Sequence, residues 1–97
     1  MKSGSMMMTP SDAFSLIYGG RPNFMTPHIV KIGKAGKFFY EISSGVRIFG
    51  EGNMFGVTII DAVNLKRRHD LSTLFFSESE ALEYVSSLRK RSKNGEI

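Results

Sequence analysis

The 97-residue chain has 13 Lys and Arg against 9 Asp and Glu, a net charge of +4, and no cysteine. Its length predicts one domain, its 41% hydrophobic content excludes a disordered chain, and no apolar stretch approaches the roughly 20 residues of a membrane span, so no membrane partner is expected. The lack of cysteine excludes disulfides and thiolate chemistry, and the expected location is intracellular, cytoplasmic by default.

A short helix is predicted to begin near residue 10. Thr9 can cap it, Pro10 suits the first helical position, and Asp12 lies in the first turn. Gly19 is predicted to end the helix, because glycine readily adopts the left-handed conformation of a C-cap. A helix of about nine residues is too short to be stable alone in water, so it has to pack on another element.

The middle of the chain reads as strands separated by glycine-containing turns, one of them at Ser44–Gly45. Strands so close in sequence must pair antiparallel, because parallel pairing needs a long crossover. The chain therefore predicts an antiparallel meander of four to five strands. These predicted strands are 28–32, 38–42, 46–49, 55–60 and 71–76.

A C-terminal helix is predicted over residues 78–91. Ser77 and Glu80 form a capping box, and apolar residues follow at helical spacing, so one stripe packs on one face of the sheet. The fold class is therefore α+β. The predicted organisation is a disordered lead-in over 1–8, one domain over 9–92 and a basic flexible tail over 93–97.

Strand alternation divides the predicted sheet into two faces. One is uniformly apolar and is predicted to pack under the C-terminal helix; its residues are Phe38, Tyr40, Ile42, Val46, Ile48, Phe55, Val57 and Ile59. The other mixes rings, charges and aliphatic side chains, and its residues are Lys31 (if the first strand is in matching register), Phe39, Glu41, Arg47, Phe49, Thr58 and Ile60.

The mixed face is typical of single-stranded nucleic-acid binding, in which bases stack on Phe39 and Phe49 while Lys31 and Arg47 contact phosphates. Two alternatives remain open. The short N-terminal helix could cover both rings, or a protein partner or second copy could do so.

Two basic loops extend this hypothesis. Lys34 and Lys37 surround a glycine turn whose spacing is not that of a P-loop, and residues 66–68 are consecutive basic residues. Both loops could contact a polyanion. The candidate nucleic-acid-binding residues are therefore Lys31, Lys34, Lys37, Phe39, Arg47, Phe49, Lys66, Arg67 and Arg68.

Catalysis has little support in the sequence. His28 and His69 lie in different elements without a metal-ligand partner at helical spacing, and adjacent residues such as His69 and Asp70 point apart on an extended chain. No catalytic residue, metal or cofactor is predicted. We expect a non-catalytic domain that binds single- or double-stranded nucleic acid; the alternative is a protein-interaction or assembly module, such as a homodimer.

Overall fold

The computed structural model describes residues 8–19, 28–46, 50 and 52–97 and has an α+β fold. Its four strands form one antiparallel sheet in the order β1-β2-β3-β4, so the predicted meander is confirmed. The described part of the chain contains no fifth strand, and neither of its helices is long and apolar enough to cross a membrane. The elements are α1 (Pro10–Tyr18), β1 (His28–Ala35), β2 (Phe38–Val46), β3 (Asn53–Asp61), β4 (Thr73–Phe75) and α2 (Glu78–Lys93).

The turn predicted at Ser44–Gly45 is wrong. Both residues lie inside β2, where they pair with Phe55 and Met54 of β3. Small residues are compatible with a strand when the neighbouring backbone completes the ladder, and here the pairing continues as far as Val46. Val46 is 75% exposed, so its predicted place in the core is also wrong.

The remainder of the predicted third strand, residues 47–49, lies outside the described residues. The last predicted strand, 71–76, is observed as the three-residue β4.

Both helices begin at the predicted caps. The Thr9 Oγ1 atom accepts the Asp12 N–H at 3.1 Å, and the Ser77 Oγ atom accepts the Glu80 N–H at 3.1 Å. Gly19 ends α1 with a φ of +66°, the left-handed conformation expected of its C-cap.

The two helices lie on opposite faces of the sheet. We call the face under α2 the α2 face and the face under α1 the α1 face. The α2 face is the larger core, as predicted, and its buried residues are Ala35, Phe38, Tyr40, Ile42, Val57, Ile59, Leu71, Ala81, Val85 and Leu88. On the α1 face, Ala13 and Phe14 of α1 pack with Phe39 of β2 and Ile60 of β3.

The end of the chain packs against the α2 face. After Lys93, the Glu96 N–H donates to the Arg91 carbonyl at 2.9 Å, and Ile97 contacts the core.

Three polar side chains are buried on the α1 face: Glu41, Ser43 and Thr58, of which Glu41 and Thr58 lie opposite each other. Glu41 of β2 pairs with Thr58 of β3, and they are 2% and 0% exposed. Within the described residues, neither the Glu41 Oε1 atom nor the Thr58 Oγ1 atom has a hydrogen-bond partner. Burial raises the pKa of Glu41 to about 7. An unpaired buried polar group destabilises the folded state, so this face carries an energetic cost as well as an apolar gain.

Thr58→Val is expected to raise the free energy of unfolding by about 1 kcal/mol, because it replaces an unpaired buried hydroxyl by a methyl group of similar size. Ser72→Ala is the matched control. Its hydroxyl accepts the Ile59 N–H at 3.0 Å and donates to the Arg68 carbonyl at 2.9 Å, so its loss is expected to lower stability by about 1 kcal/mol or more. Urea denaturation of both variants measures the two changes, and equal destabilisation by both would contradict the prediction.

Candidate nucleic-acid interface

The turn between β1 and β2 rests on the last turns of α2. The Lys37 N–H donates to the Ser92 Oγ at 3.0 Å, and the Arg89 Nη2 donates to the Lys34 carbonyl at 3.2 Å. Gly36 has a φ of +63°, and a Cβ atom there would collide with the Ser92 side chain. This close approach places Lys34 and Lys37 beside the basic last turns of α2.

The loop after β3 folds back onto the same end of the sheet. The Ala62 N–H donates to the Lys37 carbonyl at 2.9 Å, and the Asp61 N–H donates to the Lys66 carbonyl at 2.8 Å. The Asp61 Oδ1 accepts two N–H groups of the loop, at 2.8 and 3.2 Å. These bonds hold Lys66 close to the end of β3.

Arg67 joins this loop to α1. Its Nη2 donates to the Ile17 carbonyl at 3.1 Å, and its Cζ lies 4.8 Å from the centroid of the Tyr18 ring. Burial raises the pKa of Tyr18; Arg67 opposes that shift and the charge of Glu41 adds to it. Tyr18 is therefore electrostatically coupled to both the loop arginine and the buried carboxyl group.

Arg68 is held by an ion pair on the other side of the loop. Its Nε and Nη2 donate to the two carboxylate oxygens of Asp70 at 3.0 and 2.8 Å. This hydrogen bonding raises the pKa of Arg68 and lowers that of Asp70. The Arg68 Cζ and the Lys37 Nζ lie 5.4 and 5.7 Å from the centroid of the same Phe38 ring, which shows that the turn and the loop are neighbours.

Three segments that are far apart in sequence therefore meet at one end of the sheet. The carboxyl groups placed there are already engaged, because Asp61 accepts loop N–H groups and Asp70 pairs with Arg68. We call this surface the basic end, and its residues are Lys34, Lys37, Lys66, Arg67, Arg68 and Arg89.

Five of these six residues belong to the predicted site, and Arg89 does not. In the sequence it belongs to the basic last turns of α2, which helix electrostatics explains equally well. Its contact with the Lys34 carbonyl spans 55 residues, so no local pattern reveals it.

A cleft of about 320 Å³ adjoins the basic end on the side of α1. Its walls are partly apolar and its charged members are the two turn lysines. The lining residues are Met8, Lys34, Gly36, Lys37, Phe39, Ala62 and Val63.

The remaining predicted residues lie elsewhere. Phe39 is only 5% exposed, because Phe14 of α1 packs over it, so base stacking on this ring is blocked while α1 is docked. Lys31 is opposite Ile42 and so lies on the α2 face, because a bulge between Ile29 and Lys31 shifts the register. Its expected place on the mixed face is therefore wrong. Arg47 and Phe49 lie outside the described residues.

An acidic groove lies along α2 and β4, near the first turns of the helix. It has a volume of about 480 Å³ and is lined by Phe75, Glu80, Glu83, Tyr84 and Ser87. Its carboxylates would repel phosphate, whereas the basic end would attract it. The charge of the molecule is therefore segregated along α2.

The described residues contain no cluster of three or more His, Cys, Asp or Glu side chains that could hold a metal ion. Comparisons of the chain with protein-family models, with curated proteins and with solved structures found no match. We therefore derive function from the residues of this chain alone.

Gly36→Ala is expected to lower the free energy of unfolding by roughly 2 kcal/mol, since it combines a positive φ with a collision against Ser92. Gly19→Ala is the matched control, because Gly19 has nearly the same φ of +66° and no atom within 4 Å of an added Cβ. The control is expected to lose about 1 kcal/mol. Thermal and urea denaturation measure both, and a Gly36→Ala variant no less stable than the control would show that the turn does not depend on close packing with α2.

Proposed function

We propose that this protein binds nucleic acid, without catalysing a reaction, through phosphate contacts made by the basic end. The observation that carries the proposal is the convergence of cationic side chains from the β1–β2 turn, the 66–68 loop and α2 on one end of the sheet. A polyanion gains most where several cations lie within its reach, and of the two nearby aspartates Asp70 is paired with Arg68.

The cations of the basic end differ in their availability. Lys34, Lys37 and Lys66 are exposed, and the Lys37 ammonium lies 5.7 Å from the centroid of the Phe38 ring. Arg67 and Arg68 are engaged in intramolecular hydrogen bonds, so a phosphate would have to share or replace those bonds. Of these cations, Lys34 and Lys66 are therefore the first contacts that we expect a phosphate backbone to make.

This form of binding is largely independent of base sequence. Phosphate contacts position a nucleic acid, whereas base contacts specify its sequence. With Phe39 covered by α1, the described surface offers charge rather than the stacking platform inferred from the mixed face. We therefore expect binding to both single- and double-stranded oligonucleotides, tighter to the more highly charged duplex, with a strong dependence on salt.

The test is a fluorescence-anisotropy titration of labelled 20-mers, single- and double-stranded, at 50 and 200 mM salt. Lys34→Gln/Lys66→Gln is expected to weaken binding at 50 mM salt at least tenfold. It should also reduce the slope of log K against log salt by about 2, since each lost phosphate contact contributes roughly 0.9.

Two control variants accompany this measurement. Lys34→Arg/Lys66→Arg keeps both charges and should retain affinity. Lys31→Gln removes one charge from the same strand but from the α2 face, and should change the affinity less than Lys34→Gln does. Absence of binding at 50 mM salt, or equal losses in Lys31→Gln and Lys34→Gln, would overturn the proposal.

One observation favours a second candidate function, a protein-interaction or assembly module. β1 is the terminal strand of the described sheet, and its residues Ile29 and Val30 are 45% and 40% exposed. Exposed apolar strand edges support pairing with a second copy, although the bulge and the lysines of β1 are features that commonly protect an edge from such pairing. Sedimentation that depends on protein concentration but not on salt, and that Val30→Lys abolishes, would favour this candidate over nucleic-acid binding.

A further inference from the structure

We propose that α1 is a reversible cover over the α1 face of the sheet, and that protonation of Glu41 controls how often this cover opens. The inference goes beyond nucleic-acid binding and does not depend on it. It follows from what holds α1 in place and from what α1 helps to bury.

The attachment of α1 is small. The helix has nine residues; Ala13 and Phe14 are its two buried side chains, and Ile17 and Tyr18 pack beside them partly buried. Its C-terminal end is held by Arg67, which donates to the Ile17 carbonyl and stacks on Tyr18. A helix of this length is not stable alone in water, so its order depends on these few contacts.

Glu41 lies on the face that α1 covers, two residues after Phe39 on β2. It is 2% exposed, and in the described part of the chain its Oε1 atom has no hydrogen-bond partner, nor has the hydroxyl of Thr58 across the ladder. A buried charge without a partner opposes the closed state far more than a buried neutral carboxyl group does. The closed arrangement therefore favours protonated Glu41.

Among the described residues, no charged group that faces Glu41 forms an ion pair with it. From α1 the titratable neighbour is Tyr18, whose pKa the charge of Glu41 raises further. From β1 the opposing residue is Ile32, and the next charged residue on that face, Lys34, is opposite Phe39. From β3 the opposing residue is Thr58. From the loop after β3, Arg67 is already bonded to α1.

The direction of the pH dependence follows from proton binding. The pKa of Glu41 is about 7 in the closed state against an ordinary value of 4.5, so between these pH values the open state binds fewer protons. Closure is therefore most favourable below about pH 4.5. It weakens as the pH rises through this interval and levels off above pH 7. Opening would uncover Phe39 and release Arg67 from the end of α1.

The absence of cysteine from the chain allows a direct test. Ala13 and Ala81 are both fully buried, one under each helix, so Ala13→Cys and Ala81→Cys form a matched pair. A methanethiosulfonate reagent labels each thiol, and each rate is divided by the rate in the urea-unfolded chain at the same pH. The relative rate at position 13 is expected to exceed that at position 81. It is also expected to rise at least tenfold between pH 5 and pH 8, and the full pKa difference of Glu41 between the closed and open states would give a rise of roughly 70-fold.

Glu41→Gln in the Ala13→Cys background should abolish this rise, whereas Glu83→Gln, an exposed glutamate of α2, should leave it intact. Amide hydrogen exchange of the unmodified chain, corrected for intrinsic rates, provides a measurement that needs no cysteine. It should show protection of α1 falling relative to α2 over the same pH range. Equal labelling rates at positions 13 and 81 would contradict the proposal that α1 opens reversibly. A pH-dependent rise that persists in Glu41→Gln would contradict the proposed role of Glu41.

Discussion

The β2–β3 pair is buried on both of its faces, and the rest of the structure depends on this constraint. From Phe38 to Ser43 every residue of β2 is buried, so alternate side chains enter two separate cores. A sheet with two apolar faces cannot be covered by one helix, because side chains alternate strictly across a strand. α2 covers one face and α1 the other, and each remaining feature is arranged around these two contacts.

The two covers differ in strength. α2 has sixteen residues and rests on the larger core, whereas α1 has nine, and Phe14 is the largest side chain that it fully buries. Burial of one phenylalanine contributes about 1.5–3 kcal/mol. Ionised Glu41, on the same face of the sheet, opposes the docking of α1 by up to about 3 kcal/mol, the free energy that corresponds to its raised pKa. Since these magnitudes are similar, protonation of this one carboxyl group can shift the equilibrium between docked and undocked α1.

The basic end results from chain direction rather than from a binding motif. The antiparallel meander places the β1–β2 turn and the end of β3 at the same end of the sheet, and the last turns of α2 reach that end too. Gly36 permits the close approach of the turn to Ser92. Basic residues from three separate segments thereby become one surface, while Glu80 and Glu83 of α2 line the acidic groove.

The sequence by itself determined the local structure, because caps, strand alternation and helical spacing are short-range signals. Thr9, Gly19 and the Ser77–Glu80 capping box mark helix ends where they were predicted, and the α2-face core followed from alternation in β2 and β3. Only the tertiary structure decided which surfaces remain open. The docking of α1 over Phe39, the bulge that turns Lys31 to the α2 face and the contact of Arg89 with Lys34 all depend on packing between distant segments, which a local pattern does not encode.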